Sequence, residues 1–125
     1  MYNMKKAVIY ARYSQGANQT MQSIEGQLKV VYEYANREGY QIVEEYKDAK
    51  RTGKSAEQRE EFQRMIRDSA RGRFEYVLVY QFDRFSRNKY DNAIYKDKLS
   101  RNGVKVISAM EQVSQEITAT RKLQK

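Results

Sequence analysis

Apolar residues fall into four short runs, and stretches with a helical period lie between them. Ala7 to Ala11, inside Lys5 to Arg12, is near-continuous, as expected of a strand covered on both faces. Ile24, Leu28, Val31 and Ala35 then recur at spacings of four, three and four, the stripe of an amphipathic helix. Ser23 is its expected N-cap and Gly39 its expected terminator. Tyr40 to Tyr46 alternates as a second strand. A second helix is predicted from about Glu57 to Ala70, with Phe62, Met65, Ile66 and Ala70 on one face. Gly72 punctuates it, and Phe74 to Tyr80 reads as the third strand. A third helix, about Lys89 to Arg101 with Tyr90, Ala93, Ile94 and Leu99 on its apolar side, ends at Gly103. Val104 to Ala109 is the fourth strand, and Met110 to Lys125 has no strong period.

Strand, loop, helix, glycine and strand follow one another three times. That order predicts an α/β domain with a parallel sheet, right-handed crossovers and helices on both faces. The carboxyl ends of the first three strands then share one edge. Three features are expected to converge there: Ser14, the charged loop of residues 47–56, and the polar-aromatic turn of residues 81–88.

Composition narrows the chemistry. The 125 residues include no cysteine and no histidine, which removes disulfides, thiolate zinc sites and a Ser-His-Asp hydrolase. Lys and Arg number 24 against 16 Asp and Glu, a net charge of +8 that favours a polyanionic partner such as nucleic acid. No run approaches the roughly 18 apolar residues of a membrane span, so a cytoplasmic protein is expected.

Two apparent motifs fail. Thr52 to Ser55 carries the Gly-Lys-Ser end of a phosphate-binding P-loop, but Asp48 stands where that motif needs a glycine. Asp48 and Asp83 lie at strand ends, where acidic metal sites occur. Basic residues follow both closely, so ion pairing or scaffolding is expected and no metal.

The positive case is an arginine cluster. Arg12 and Ser14 are two apart in an extended segment and so point the same way. Arg84 and Arg87 are three apart beside Asp83 and share a face if that turn opens a helix. Three guanidiniums around one serine hydroxyl would hold a phosphodiester and stabilise the added charge of its pentacoordinate transition state.

These residues carry a family resemblance. The runs Tyr10 to Ser14, Ser23 to Gln27, Asp83 to Asn88 and Asn102 to Val104, with Gly53, Arg59 and Phe62, resemble the serine recombinase (resolvase/invertase) catalytic domain. The likeness covers residues 5–110 in order and is strongest to the large serine recombinases. It implies a three-layer α/β/α resolvase-like fold, mainly parallel with strand order 2-1-3-4, plus an antiparallel edge strand. It implies that Ser14 attacks the scissile DNA phosphate, giving a 5′-phosphoserine link and a free 3′-hydroxyl. Arg12, Arg84 and Arg87 would hold the phosphate, with Asp83 positioning them or assisting proton transfer. Gln19 or Gln22 matches a polar residue beyond the serine, Gln27 a helix glutamine near the site, and Arg59 a further arginine. Thr52 stands where the family often has serine, with Lys54 as a supporting contact in the same loop. No cofactor is implied. DNA is the implied partner, with a homodimer and a synaptic homotetramer in the full-length protein.

In that family a long helix follows the domain. Residues 1–113 are therefore expected to form the catalytic domain, and 114–125 a tail where the helix would begin. The isolated chain is not expected to recombine DNA by itself. The rival reading is a truncated or degenerate resolvase-like module that binds DNA or dimerises without catalysis. A receiver-like domain shares the architecture but needs an acidic cluster where this chain has Arg12 and Ser14.

Overall fold

Strand β1 (Lys5–Arg12) lies inside the sheet and is buried from Ala7 onward. A computed structural model describes residues 4–13, 23–49, 59–86 and 88–112. With β2 (Tyr40–Asp48), β3 (Tyr76–Val79) and β4 (Lys105–Ser108), β1 makes a four-stranded sheet in the order β2-β1-β3-β4. All three pairings are parallel. The antiparallel edge strand implied by the resemblance is not among the described residues.

Helix α1 (Ile24–Glu38) begins where the Ser23 hydroxyl accepts the Gly26 N–H at 3.0 Å. It stops at Gly39, which adopts φ +80° and returns its N–H to the Ala35 carbonyl. A β-carbon added at Gly39 would meet nothing within 4 Å, so only its backbone conformation resists substitution. Gly39→Ala is expected to cost about 1 kcal/mol of stability, read as a lower urea midpoint at unchanged slope.

Helix α1 covers one face of the sheet, against Ala7, Ile9, Leu78 and Ile107. Helices α2 (Glu60–Asp68), α3 (Phe82–Phe85) and α4 (Lys89–Arg101) cover the other face, around Val8, Tyr10, Val77 and Val79. The layers are thus those expected, and four details differ. Helix α2 tightens into a 3₁₀ turn at Ser69–Arg71. That winding advances about 120° per residue rather than about 100°. Ser69 is therefore buried and Ala70, expected on the apolar face, is exposed. On α4 the buried residues are Tyr95 and Leu99, while Ala93 faces solvent and Tyr90 is 74% exposed. Residues 109–112 turn helical directly after β4, although Ala109 is expected in the fourth strand and residues 110–112 are expected to lack a period.

The fourth difference shapes the functional edge. Ala7 pairs with Ile42 but Val8 pairs with Glu44, so Val43 is an extra residue in β2. Side chains alternate along a strand, so one inserted residue moves everything after it to the opposite face. Tyr40 and Ile42 accordingly pack with α1, whereas Tyr46 packs with α2. Asp48, opposite Arg12, is turned to the α2 side as well.

Candidate active site

The carboxyl end of β1 is held from three directions. On the β2 side, the Tyr13 N–H donates to the Asp48 carbonyl at 3.0 Å. Adjacent peptides in a strand point to opposite sides, so the Arg12 peptide faces the β3 side, beyond the last β1–β3 pair at Ile9 and Leu78. Gln27 of α1 stands in for the missing strand partner. Its Nε2 donates to the Arg12 carbonyl at 2.9 Å, and its Oε1 accepts the Arg12 N–H at 3.4 Å. Gln27 is 1% exposed, and this contact explains a polar side chain buried on an otherwise apolar helix face.

The Arg12 side chain provides the third tie. Its Nη2 donates to the Asp83 carbonyl at 2.7 Å and its Nε to the Arg84 carbonyl at 3.3 Å. Nη1 donates to the carbonyl of Tyr13 at 3.3 Å. These three carbonyl partners fix the position of the guanidinium. Arg84 is itself buried, and its Nη1 pairs with Asp83 Oδ1 at 2.9 Å, the carboxylate remaining half-exposed. Topology alone predicted that the first strand and the 81–88 turn would meet; the contact is made by Arg12 gripping the main chain of that turn.

A third buried guanidinium lies just beneath. Arg59, the N-cap residue of α2, donates from Nη1 to the Phe85 carbonyl at 3.0 Å and to the Tyr10 hydroxyl at 3.1 Å. It lies over the Phe62 ring with its central carbon 4.4 Å from the centroid, a cation–π geometry. The Tyr10 hydroxyl donates in turn to Asp48 Oδ2 at 2.7 Å. Burial pushes this phenol far above its ordinary pKa; Arg59 opposes the rise and Asp48 adds to it, so the proton stays on Tyr10. Asp48 also accepts the Glu61 and Phe62 N–H groups at 3.0 Å each, capping α2 from a neighbouring strand. Its carboxylate is a scaffold, in line with that expectation. Among the described residues no group of acidic side chains is arranged to hold a metal ion.

The structure therefore brings together Arg12, Gln27, Arg59, Asp83 and Arg84. Ser14, Gln19, Gln22, Thr52, Lys54 and Arg87 lie outside the described residues. Sequence reasoning missed Tyr10, which it took for one more apolar strand residue. The signal was parity: Tyr10 is two before Arg12 and so shares its face. Arg12, Arg59 and Arg84 are at most 7% exposed, so three fixed cations surround one strand end. Such a site favours an anion, and fork-shaped guanidiniums suit phosphate oxygens.

The family described as "Resolvase, N terminal domain" matches residues 7–124, and the chain belongs to this family of serine recombinase catalytic domains. Among solved structures it is similar to the N-terminal catalytic domain of TP901-1 integrase. The two share 36% identity and a TM-score of 0.75 over 86% of this chain and 78% of that one. A resolvase family site-specific recombinase from Streptococcus pneumoniae shares 28% identity and a TM-score of 0.72, over 96% of this chain and 87% of that one. The C-terminal catalytic domain of ISC1926 TnpA, an IS607-like serine recombinase, has the same fold at 24% identity and TM-score 0.69, over 92% and 80% of the two chains. No curated protein sequence matches the chain.

Proposed function

We propose that this chain is the catalytic domain of a site-specific DNA recombinase that works through Ser14, within the large serine recombinase group. The Ser14 hydroxyl oxygen attacks the scissile phosphorus, and the bond from phosphorus to the 3′-oxygen breaks. The protein then carries a 5′-phosphoserine, and the released strand ends in a 3′-hydroxyl. After strand exchange the new 3′-hydroxyl attacks the phosphoserine and restores the serine. Each step trades one phosphodiester for another, so the reaction needs no external energy source. Arg12, Arg84 and Arg87 bind the phosphate oxygens, and Asp83 orients Arg84 or assists proton transfer. Gln19, Thr52 and Lys54 support the DNA backbone contact. The carrying observation is that the buried Arg12, two positions before Ser14 in sequence, holds the main chain of the equally buried Arg84.

DNA is the partner in this reading, and dimers and synaptic tetramers of the complete protein perform the exchange in the cytoplasm. Among the described residues no helix is long and apolar enough to cross a membrane. The test is to trap the complete protein on a nicked suicide DNA site and map the linkage by mass spectrometry. A 5′-phosphate on Ser14 is expected. Salt-dependent DNA binding with no adduct would favour the non-catalytic module instead, and a linkage at another residue would overturn the assignment to Ser14.

A further inference from the structure

Helix α3 presents Asp83 and Arg84, yet a single turn cannot sustain itself. Nucleating a helix fixes several dihedral angles for few hydrogen bonds, here the Ser86 N–H to the Phe82 carbonyl at 3.1 Å and the Arg84 N–H to the Gln81 carbonyl at 2.9 Å among them. The turn must therefore be held from outside. At its carboxyl end, Arg12 takes the carbonyls of Asp83 and Arg84, and Arg59 takes that of Phe85. At its amino end, the Phe82 N–H donates to Oε1 of Glu111 at 2.9 Å. An anion at the first peptide and cations at the last ones complement the peptide dipoles of the turn.

Glu111 is itself tied to the end of β3. Its N–H donates to the Ser108 hydroxyl at 3.4 Å, and that hydroxyl donates to the Tyr80 carbonyl at 3.4 Å. The Met110 N–H reaches the same carbonyl at 3.1 Å. The turn after β4 is thus stitched to the residues that lead into α3, and its carboxylate closes the fourth side of the arginine-bearing turn.

We propose that Glu111 is a positioning residue of the active site, fixing the α3 turn and with it Asp83 and Arg84; its catalytic consequence rests on the function proposed above. Glu111 contacts the turn across 29 positions of sequence, through the main chain and not through either arginine. It would therefore act on the rate of the phosphoryl step and leave DNA affinity alone.

The test compares Glu111→Ala and Glu111→Gln in the complete protein by two readings. The first is hydrogen exchange of peptides spanning residues 80–88; the second is the single-turnover rate of adduct formation, with DNA affinity measured alongside. Glu111→Ala is expected to speed exchange and slow adduct formation, each by about tenfold, as loss of a hydrogen bond to a charged group implies. The glutamine variant keeps an oxygen acceptor for the Phe82 N–H and is expected to restore both to within about threefold of wild type. Asn102→Ala is the control for general destabilisation, since it removes a 2.9 Å contact to Ser69 at the far end of α4. It should change neither reading. Wild-type exchange in Glu111→Ala, a glutamine variant as impaired as alanine, or an equal effect of Asn102→Ala would each overturn the proposal. If wild type forms no adduct at all, the proposed function fails, and the exchange readings alone decide whether Glu111 holds the turn.

Discussion

Arg84→Ala in the complete protein is expected to slow adduct formation by about 10²–10³-fold, the loss typical of removing one preorganised charge-stabilising group. DNA affinity should fall far less, because the other basic residues of this +8 chain still meet the phosphate backbone. Preorganisation is the reason for the size of the effect. Arg84 is 3% exposed, its Nη1 is set by Asp83, and its carbonyl is gripped by Arg12. A group fixed in this way needs no rearrangement as charge develops on the phosphate. Arg84→Lys should not rescue: an ammonium is a point charge on a longer flexible stem and cannot offer two parallel donors. Single-turnover cleavage of a suicide site, with affinity measured by fluorescence anisotropy, checks both claims. Wild-type cleavage by the lysine variant would refute the bidentate role. An affinity loss as large as the rate loss would make Arg84 a simple DNA-binding residue.

What could be read from sequence followed from what is local. The strand β1, the caps Ser23 and Gly39, and the three crossovers each have short-range signatures, and topology then brought Arg12 to Asp83 and Arg84. What escaped was non-local. The extra residue Val43 sits in a run that still looks alternating, so nothing in β2 announces that Tyr46 and Asp48 have changed face. On α4 Leu99 is buried as expected, but Tyr90 and Ala93, apolar by type, are exposed, whereas packing against Phe62 selects Tyr95. Asp48 could be argued away from metal binding by its basic neighbours. Its actual work, capping α2 and accepting from Tyr10, depends on a strand and a helix meeting in space. The main-chain targets of Arg12 were equally hidden, since side-chain chemistry suggested a phosphate clamp and gave no hint of a staple between strand and turn.

The staple rests on an aromatic core, so Phe62→Ala is expected to be the most destabilising single change, at about 3–5 kcal/mol. Phe62 is fully buried, and its ring meets the edges or faces of Tyr10, Phe85 and Tyr95 at centroid distances of 5.1–5.2 Å. Each such contact adds about 0.5–1.5 kcal/mol beyond the area it buries. A domain of ordinary stability holds only about 5–15 kcal/mol in total, so the variant stands near the limit of folding at 37 °C. Urea unfolding measures the loss, and a cost below about 1 kcal/mol would show that the core collapses around the missing ring. Phe62→Leu fills much of the space but offers no face to a cation, and it separates packing from charge placement. Arg59 lies over this ring and reaches both Tyr10 and the Phe85 carbonyl at the end of α3. Under conditions where Phe62→Leu is fully folded, adduct formation should still be slower than wild type, because the platform that aims Arg59 is gone. Wild-type rates in that variant would mean that Tyr10 and the Phe85 carbonyl hold Arg59 without help from the ring beneath it.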